Sequence, residues 1–525
     1  MSYNYSQIDR DNLNWFSKDT SKATLLSIEL FVGRLRGLNP FEIKFNYPIS
    51  VIAGKNGSGK STLLALAACS FHNDEGGFKL LEREKGYYTF SDFFIQSKEE
   101  VSPDGIVIGY KILHNNWTPT KKMPRGIGAG LQFRKKKVGG NWNKYSKRVH
   151  RNVVYFGIDR VVPHSEKSVS KSYKNRFKNI EFHGWEESVK NIVGRILNKN
   201  YDEFWYKKHT KYQLPMVRAD GKLYSGFNMG AGENALFKIF STVHSCPDGA
   251  LFIIDEIELG LHEEAQKRLV DELKKICKQK HIQIICTTHS STIMSNLPPE
   301  ARFFVESIGT NTIVSPGISS LYAAGKLAGE NSNELDIFVE DSTAKCLIES
   351  SLSNETRLRV NILTIGSSSA VIRQLAARYK NIKKGECIAI LDGDKYSKLV
   401  SLCNQFLKML ENAGDKEVAE SYVKERLKFL PGDTWPEKWI FSELKQKYGS
   451  ELAAELSLDD SLDEVRLSGY LDEAIRAGKH NEFQTICQRT NLGMSDVKNL
   501  FCRSAVKCNK ESFEEIKVCI LSFLE

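Results

Sequence analysis

The chain has 525 residues, too many for one hydrophobic core, so the usual domain size divides it into roughly two to four domains. Hydrophobic residues at 41% and charged residues at 26% exclude bulk disorder, and no run of about 18 uncharged apolar residues marks a membrane span. The net charge of +10 is concentrated between Val101 and Asp220, where 25 lysines and arginines face 9 acids, a footprint suited to a polyphosphate partner such as DNA or RNA.

The N-terminus is polar and carries acids, which is unlike an export signal. Eleven cysteines lie scattered without a C-x-x-C pair or zinc spacing, which points to the reducing cytoplasm and against a disulfide framework. The first predicted strand is Leu25 to Val32. A second, Ile49 to Ala53, runs into a glycine loop, and a helix is predicted from Ser61 to Cys69.

The loop, Gly54-Lys55-Asn56-Gly57-Ser58-Gly59-Lys60-Ser61, fits G-x-x-x-x-G-K-[ST] in strand-loop-helix context. Its backbone from Asn56 through Gly57, Ser58 and Gly59 curls around a β-phosphate, Lys60 neutralises β/γ oxygens, and Ser61 offers a hydroxyl to Mg²⁺ beside Thr62. From Asn73 to Asp220 the pattern is irregular, with Gly/Lys/Asn-rich tracts that suggest an insertion of flexible basic loops. In it Arg134, Lys135, Lys136, Lys137, Lys144, Lys147 and Arg148 are candidate phosphate contacts, with Trp142 and Tyr145 available to stack on bases. A solvated loop that only keeps the protein soluble is the competing reading.

Regular structure resumes near Phe227: a helix start at Gly232, a strand Leu251 to Ile254, a helix Glu263 to Cys277 and a strand Ile282 to Cys286, which is βαβ alternation with a parallel sheet. The first of these strands ends in Asp255 and Glu256, suited to hold Mg²⁺ through water and to deprotonate an attacking water. His289 follows the next strand, 34 residues beyond Asp255, where it could reach a γ-phosphate. Gly317 to Asn333 reads as a linker. A second alternation follows, with strands Leu335 to Val339, Arg359 to Ile365 and Glu386 to Leu391 around helices Ser342 to Ser350 and Ala370 to Tyr379, and then amphipathic helices.

The order of P-loop, Met229-Gly230-Ala231-Gly232-Glu233, Asp255-Glu256 and His289 resembles the ABC ATPases, and more closely their SMC-like and OLD-family branch. That resemblance makes Gly230, Gly232 and Glu233 a signature that contacts the ATP of an opposing subunit, so that ATP joins two heads in a homodimer or higher homo-oligomer. Gly230 stands where the family usually has serine, which removes one γ-phosphate hydrogen bond. Gln96 is either the Q-loop glutamine that senses Mg²⁺ or a plain surface residue.

In the second alternation Glu340 ends the first strand, and Asp392 and Asp394 bracket Gly393 at the end of the third. Carboxyl ends of parallel strands share one edge, so these oxygens could converge on Mg²⁺ or Mn²⁺ and support phosphodiester cleavage. The arrangement resembles the TOPRIM domain, and ABC followed by TOPRIM resembles the OLD ATPase-nucleases. Departures are Asp341, where many such nucleases have glycine, and Ala344, where a further acid is common. Glu437 reads as an extra metal ligand or as part of a capping box begun by Thr434, and Lys438 as a transition-state cation.

The expected fold is therefore α/β: an ABC/SMC-like P-loop ATPase over 1–320 with a basic insertion at about 101–220, then a TOPRIM-like domain with C-terminal helices over 334–525. The resemblance implies an ATP- and Mg²⁺-dependent DNA endonuclease in anti-phage defence, and its retron-encoded members imply an RNA-DNA product and a reverse transcriptase as partners. An SMC-like clamp or sensor that grips nucleic acid while a separate protein cuts, and a transporter ATPase, are the other two classes.

Overall fold

The computed structural model describes residues 3–73, 76–95, 97, 99–100, 104–138, 140, 142–143, 147–308, 311–328, 333–380, 386–410, 416–456 and 464–524. The chain forms two compact units, residues 3–331 and 332–525. No helix among the described residues is long and apolar enough to cross a membrane. All eleven cysteines are free thiols.

The first unit is built on a six-stranded sheet in the order Asn311–Pro316, Arg302–Ile308, Ile49–Ala53, Gln283–Thr287, Leu251–Ile254, Val153–Phe156. Only the hairpin strand Asn311–Pro316 runs antiparallel. The three strands that carry the motifs are buried at every position, as expected where helices cover both faces of a parallel sheet and the strand reads as a continuous apolar run. One strand, Gln283–Thr287, separates the P-loop strand from the carboxylate strand, so both motifs emerge on either side of Thr287.

The expected irregular insertion is instead regular structure. Ile106–His114 and Gly128–Lys136 join Thr24–Val32 and Phe41–Lys44 in an antiparallel sheet, and Val153–Phe156 is the edge strand of the main sheet. Another antiparallel sheet holds Asn179–Glu181, Glu203–His209, Tyr212–Ala219 and Lys222–Ser225, and the helix Glu186–Leu197 buries Val189, Val193 and Ile196. The overlooked signal was a period of two: Ile106, Ile108, Tyr110 and Ile112 all point inward and are buried. Glycine-rich composition marked the turns and concealed the strands between them.

The expected linker also contains structure. Ser320–Ala328 is a helix whose Tyr322 and Ala323 are buried in the first core, with Tyr322 edge-on to Phe304, so the first unit extends past residue 320.

The second unit has a parallel sheet in the order Val360–Thr364, Leu335–Val339, Glu386–Leu391, Leu427–Phe429. Alternating side chains feed two cores: Ile337, Val339, Ile388 and Ile390 pack with the C-terminal helices, whereas Phe338, Ala389 and Leu391 pack with Ser368–Lys380 and Leu399–Lys408.

Candidate functional site

The P-loop takes its shape from glycines in the left-handed region. Gly54, Gly57 and Gly59 have φ of 157°, 78° and 94°, and a Cβ at Gly59 would sit 2.2 Å from Leu38 Cδ2. The helix Lys60–Ala68 begins at Gly59 with no side-chain cap, which leaves its first N–H groups to a phosphate. Asn56 and Gly57 are exposed, Thr62 is buried, and the buried Ser58 Oγ has no partner. Lys60 folds back, donating to the carbonyls of Gly54 at 2.7 Å and Lys55 at 3.1 Å. Burial pushes its ammonium below the ordinary value, against the pull of Asp255, Glu256 and Glu258. These groups suit a nucleotide polyphosphate, which would supply Lys60 with better acceptors than two carbonyls.

Ser61 Oγ donates to Asp255 Oδ2 at 3.2 Å, so the two expected Mg²⁺ ligands meet. Thr287 Oγ1 donates to Asp255 Oδ1 at 2.5 Å and accepts from the Glu256 N–H at 2.7 Å. Glu256 has φ of 47°, a strained conformation for a residue with a Cβ. Arg160, 1% exposed, clamps the same turn by donating to the carbonyls of Asp255 and Glu256. His289 is exposed, and its N–H donates to Glu258 Oε1 at 2.6 Å while Thr288 Oγ1 donates to Glu258 Oε2 at 2.7 Å. Sequence reasoning missed Arg160, which acts through main-chain carbonyls and leaves no local motif.

Gly230 is the exposed N-cap of the helix Ala231–Ser245, again with no side-chain cap. Gly232 is required sterically, because a Cβ there would approach Gly260 O to 2.1 Å, and Gly260 itself has φ of 80°. The Glu233 carboxylate is taken up within its own unit by Lys199 at 3.0 Å, Tyr224 at 2.7 Å and Tyr201. These contacts anchor the start of the helix within the unit. Gln96 lies outside the described residues.

Much of the basic block is internal. Arg134 is 1% exposed and donates to the Asn143 carbonyl, Arg148 is 2% exposed and donates to the carbonyls of Cys69 and Tyr88, and Lys136 pairs with Asp104. Trp142 stacks on Phe90 at 3.8 Å. For Arg134, Arg148 and Trp142 these are core contacts, which overturns their assignment to nucleic acid; Lys136 is half-buried against an exposed acid, Lys135, Lys137 and Lys147 are exposed, and Lys144 and Tyr145 lie outside the described residues.

In the second unit Glu340 and Asp392 meet, but Glu340, Asp392 and Asp394 do not form the close ligand group among the described residues, which is Asp341, Glu437 and His480. The Asp392 N–H donates to Glu340 Oε1 at 3.1 Å. Burial pushes the Asp392 carboxyl up to about 8, and the charges of Glu340, Asp341, Asp394 and Glu437 push the same way. Burial likewise raises Glu340 and Glu437. Asp392 Oδ1, Asp394 Oδ1 and Glu437 Oε2 are buried without hydrogen-bond partners among the described residues. Crowded oxygen ligands with orphaned lone pairs fit a divalent cation, which would keep them ionised together.

Other details depart from the sequence reading. Gly393 is needed because a Cβ there would meet Gly432 O at 2.2 Å, and not to let the aspartates approach. Asp394 pairs with Lys395 at 2.6 Å. Glu437 accepts from Thr343 Oγ1 at 2.9 Å, and its helix Pro436–Lys447 has Trp435 as N-cap with no side-chain cap, so the capping-box alternative fails. The Lys438 ammonium lies 5.2 Å from the Trp435 ring centroid. His480 was not anticipated; with Asp341 and Glu437 it offers ligand atoms within 4.8 Å of one another.

Residues 216–295 match the family described as AAA domain, putative AbiEii toxin, Type IV TA system. No curated protein matches the chain. Among solved structures, the chain is similar to the SMC head domain from Thermotoga maritima, at 16% identity over 56% of this chain and 98% of that one, with a TM-score of 0.33. It is also similar to the Smc head domain with an extended coiled coil, bound to the C-terminal domain of ScpA, from Pyrococcus furiosus, at 14% identity over 58% and 99% and a TM-score of 0.36. The glycine cradle, the capless helix at Gly230 and the paired carboxylates around one parallel sheet give the first unit a P-loop ATPase fold of the α/β class.

Proposed function

We propose that this ATPase is a metal-dependent DNA endonuclease of the OLD type, in which ATP-driven pairing of heads gates cleavage by the second unit. The observation that carries the reading is the hydrogen bond from the Asp392 N–H to Glu340, with buried carboxylate oxygens of Asp392, Asp394 and Glu437 that have no partner among the described residues. In the ATPase, Glu256 accepts the proton of the attacking water, Lys60 and Ser61 hold the polyphosphate and its Mg²⁺ with Asp255, and His289 faces the γ-phosphate. In the nuclease, Glu340, Asp392, Asp394 and Glu437 would hold divalent cations, which would activate a water and offset charge on the leaving oxygen. Glu340 and Asp392 position that water. The protein acts in the cytoplasm as an anti-phage effector, and the resemblance to retron-encoded relatives extends its partners to an RNA-DNA product with its reverse transcriptase.

Purified protein incubated with plasmid DNA and Mg²⁺ or Mn²⁺ tests this reading. Asp392→Ala should stop cleavage and leave ATP turnover within about twofold, because the two sites lie in different units. Cleavage at the unmutated rate overturns it. The Lys395–Asp394 ion pair, which occupies one expected ligand, favours a second reading: a clamp or sensor that binds nucleic acid while a partner cuts.

A further inference from the structure

A cavity of about 930 Å³ opens in the first unit, at the upper end of the size that small-ligand sites take. Its walls come from the segment around Phe78 to Arg83, the turn after Val153–Phe156, the helix Ala231–Ser245 and the strands Glu203–His209 and Tyr212–Ala219. Seven lysines and arginines line it against three acids, and eight Phe, Tyr and Trp side chains share the surface. A lining both cationic and aromatic selects a ligand with phosphate at one end and a flat ring at the other.

Two lysines define the anionic end. Lys167 has no acidic partner among the described residues within ion-pair distance, and burial followed by repulsion from Lys238 pushes its ammonium below the ordinary value. Lys238 has only Glu82, at 3.4 Å. An anion between them relieves both costs. Trp185, Tyr206 and Tyr212 line the same cavity, and His183 already stacks on Trp185 with ring centroids 4.9 Å apart at 15°.

Arg160 connects this cavity to the hydrolytic carboxylates. It lines the cavity, is 1% exposed, and has a buried Nε without a partner. Its two terminal nitrogens donate to the carbonyls of Asp255 and Glu256, the latter in its strained backbone conformation. The helix Ala231–Ser245 forms another wall through Asn234, Lys238 and Ser241. We propose that this cavity is a second nucleotide site, distinct from the P-loop, that takes a ribonucleoside mono- or diphosphate and sets the rate of ATP hydrolysis through Arg160. Its occupant packs against the cavity wall to which Arg160 belongs and shifts the clamp on the Glu256 turn.

The test uses the full chain. Lys60→Ala removes the P-loop as a binding site, and fluorescence anisotropy with methylanthraniloyl-labelled AMP, ADP and GDP then reads the remaining site. At least one probe should bind, and adding Lys167→Glu with Lys238→Glu should weaken it roughly tenfold or more, the scale of losing charge-assisted hydrogen bonds. In otherwise unmutated protein saturated with a non-hydrolysable ATP analogue, the same probe should still titrate one further equivalent. The unlabelled nucleotide should change ATP turnover of the unmutated protein by about twofold or more, and leave turnover of Lys167→Glu/Lys238→Glu unmoved. Absence of binding to both preparations, equal binding by the charge-reversed variant, or binding of a 5′-phosphorylated oligothymidylate alone overturns the proposal. None of these readouts depends on DNA cleavage, so the nuclease reading can fail independently.

Discussion

Thr287 joins Asp255 and Glu256 through one hydroxyl: it donates to Asp255 Oδ1 and accepts from the Glu256 N–H. Removing the hydroxyl leaves a buried N–H unpaired and frees Asp255 to rotate. Thr287→Val should therefore lower ATP turnover by roughly tenfold, matching a loss of about 1–3 kcal/mol for an unsatisfied buried group, with nucleotide still bound. Unchanged turnover in a steady-state phosphate-release assay would remove Thr287 from the machinery.

Glu256→Gln should bind ATP but hydrolyse it at least about 10²-fold more slowly, since a general base contributes on that scale. ATP-bound dimers should accumulate, visible by light scattering. Lys60→Ala should bind no ATP in the P-loop, because its ammonium is the buried cation there. Near-normal turnover by Glu256→Gln sinks the assignment.

The raised Asp392 carboxyl makes the metal-free second unit sensitive to pH. In the fold this group holds its proton up to about 8, whereas unfolded it ionises near 3.8. The folded state thus binds the proton more tightly, so stability is greatest at low pH and falls as pH rises from about 4 to about 8, by a few kcal/mol in all. Glu340 and Glu437 act with the same sign. In EDTA the second transition should melt lower at pH 8.5 than at pH 6. Asp392→Asn should flatten that slope, and Mn²⁺ should raise the midpoint at pH 8.5. A melting midpoint indifferent to both pH and metal contradicts the site.

The basic block divides into core and surface. Arg148→Ala should destabilise the first unit by about 2–4 kcal/mol, because it leaves two buried carbonyls unpaired. Replacing Lys135, Lys137 and Lys147 by glutamine should leave the melting midpoint alone and, where they touch phosphates, reduce the salt dependence of DNA binding by just under about one unit of slope each. An unaltered slope assigns DNA binding elsewhere.

What was legible in the sequence follows a physical division. The P-loop, Asp255-Glu256 and His289 were readable because each is a short segment whose backbone conformation and chemistry are encoded together, as the glycines at 54, 57 and 59 show. The acid cluster was readable as far as strand ends gather side chains, which brought Glu340 and Asp392 into view. His480 was not, since it reaches Asp341 and Glu437 only through the packing of distant helices. Charge was misread for the opposite reason: composition counts Arg134, Arg148 and Arg160 as surface cations, while the fold spends them on main-chain carbonyls.

The contact between Gly232 and Gly260 is main chain against main chain, with no room for a Cβ on the first. Side chains at an interface absorb small displacements by changing rotamer, and here, among the described residues, only Leu261 Cδ2 stands beside the main-chain contact to do so. A movement of the turn after Glu256 during phosphate release therefore passes with little damping into the first turn of the helix Ala231–Ser245. The exposed N-cap Gly230 thereby shares the rigidity of the Gly260 turn, two residues away from that main-chain contact.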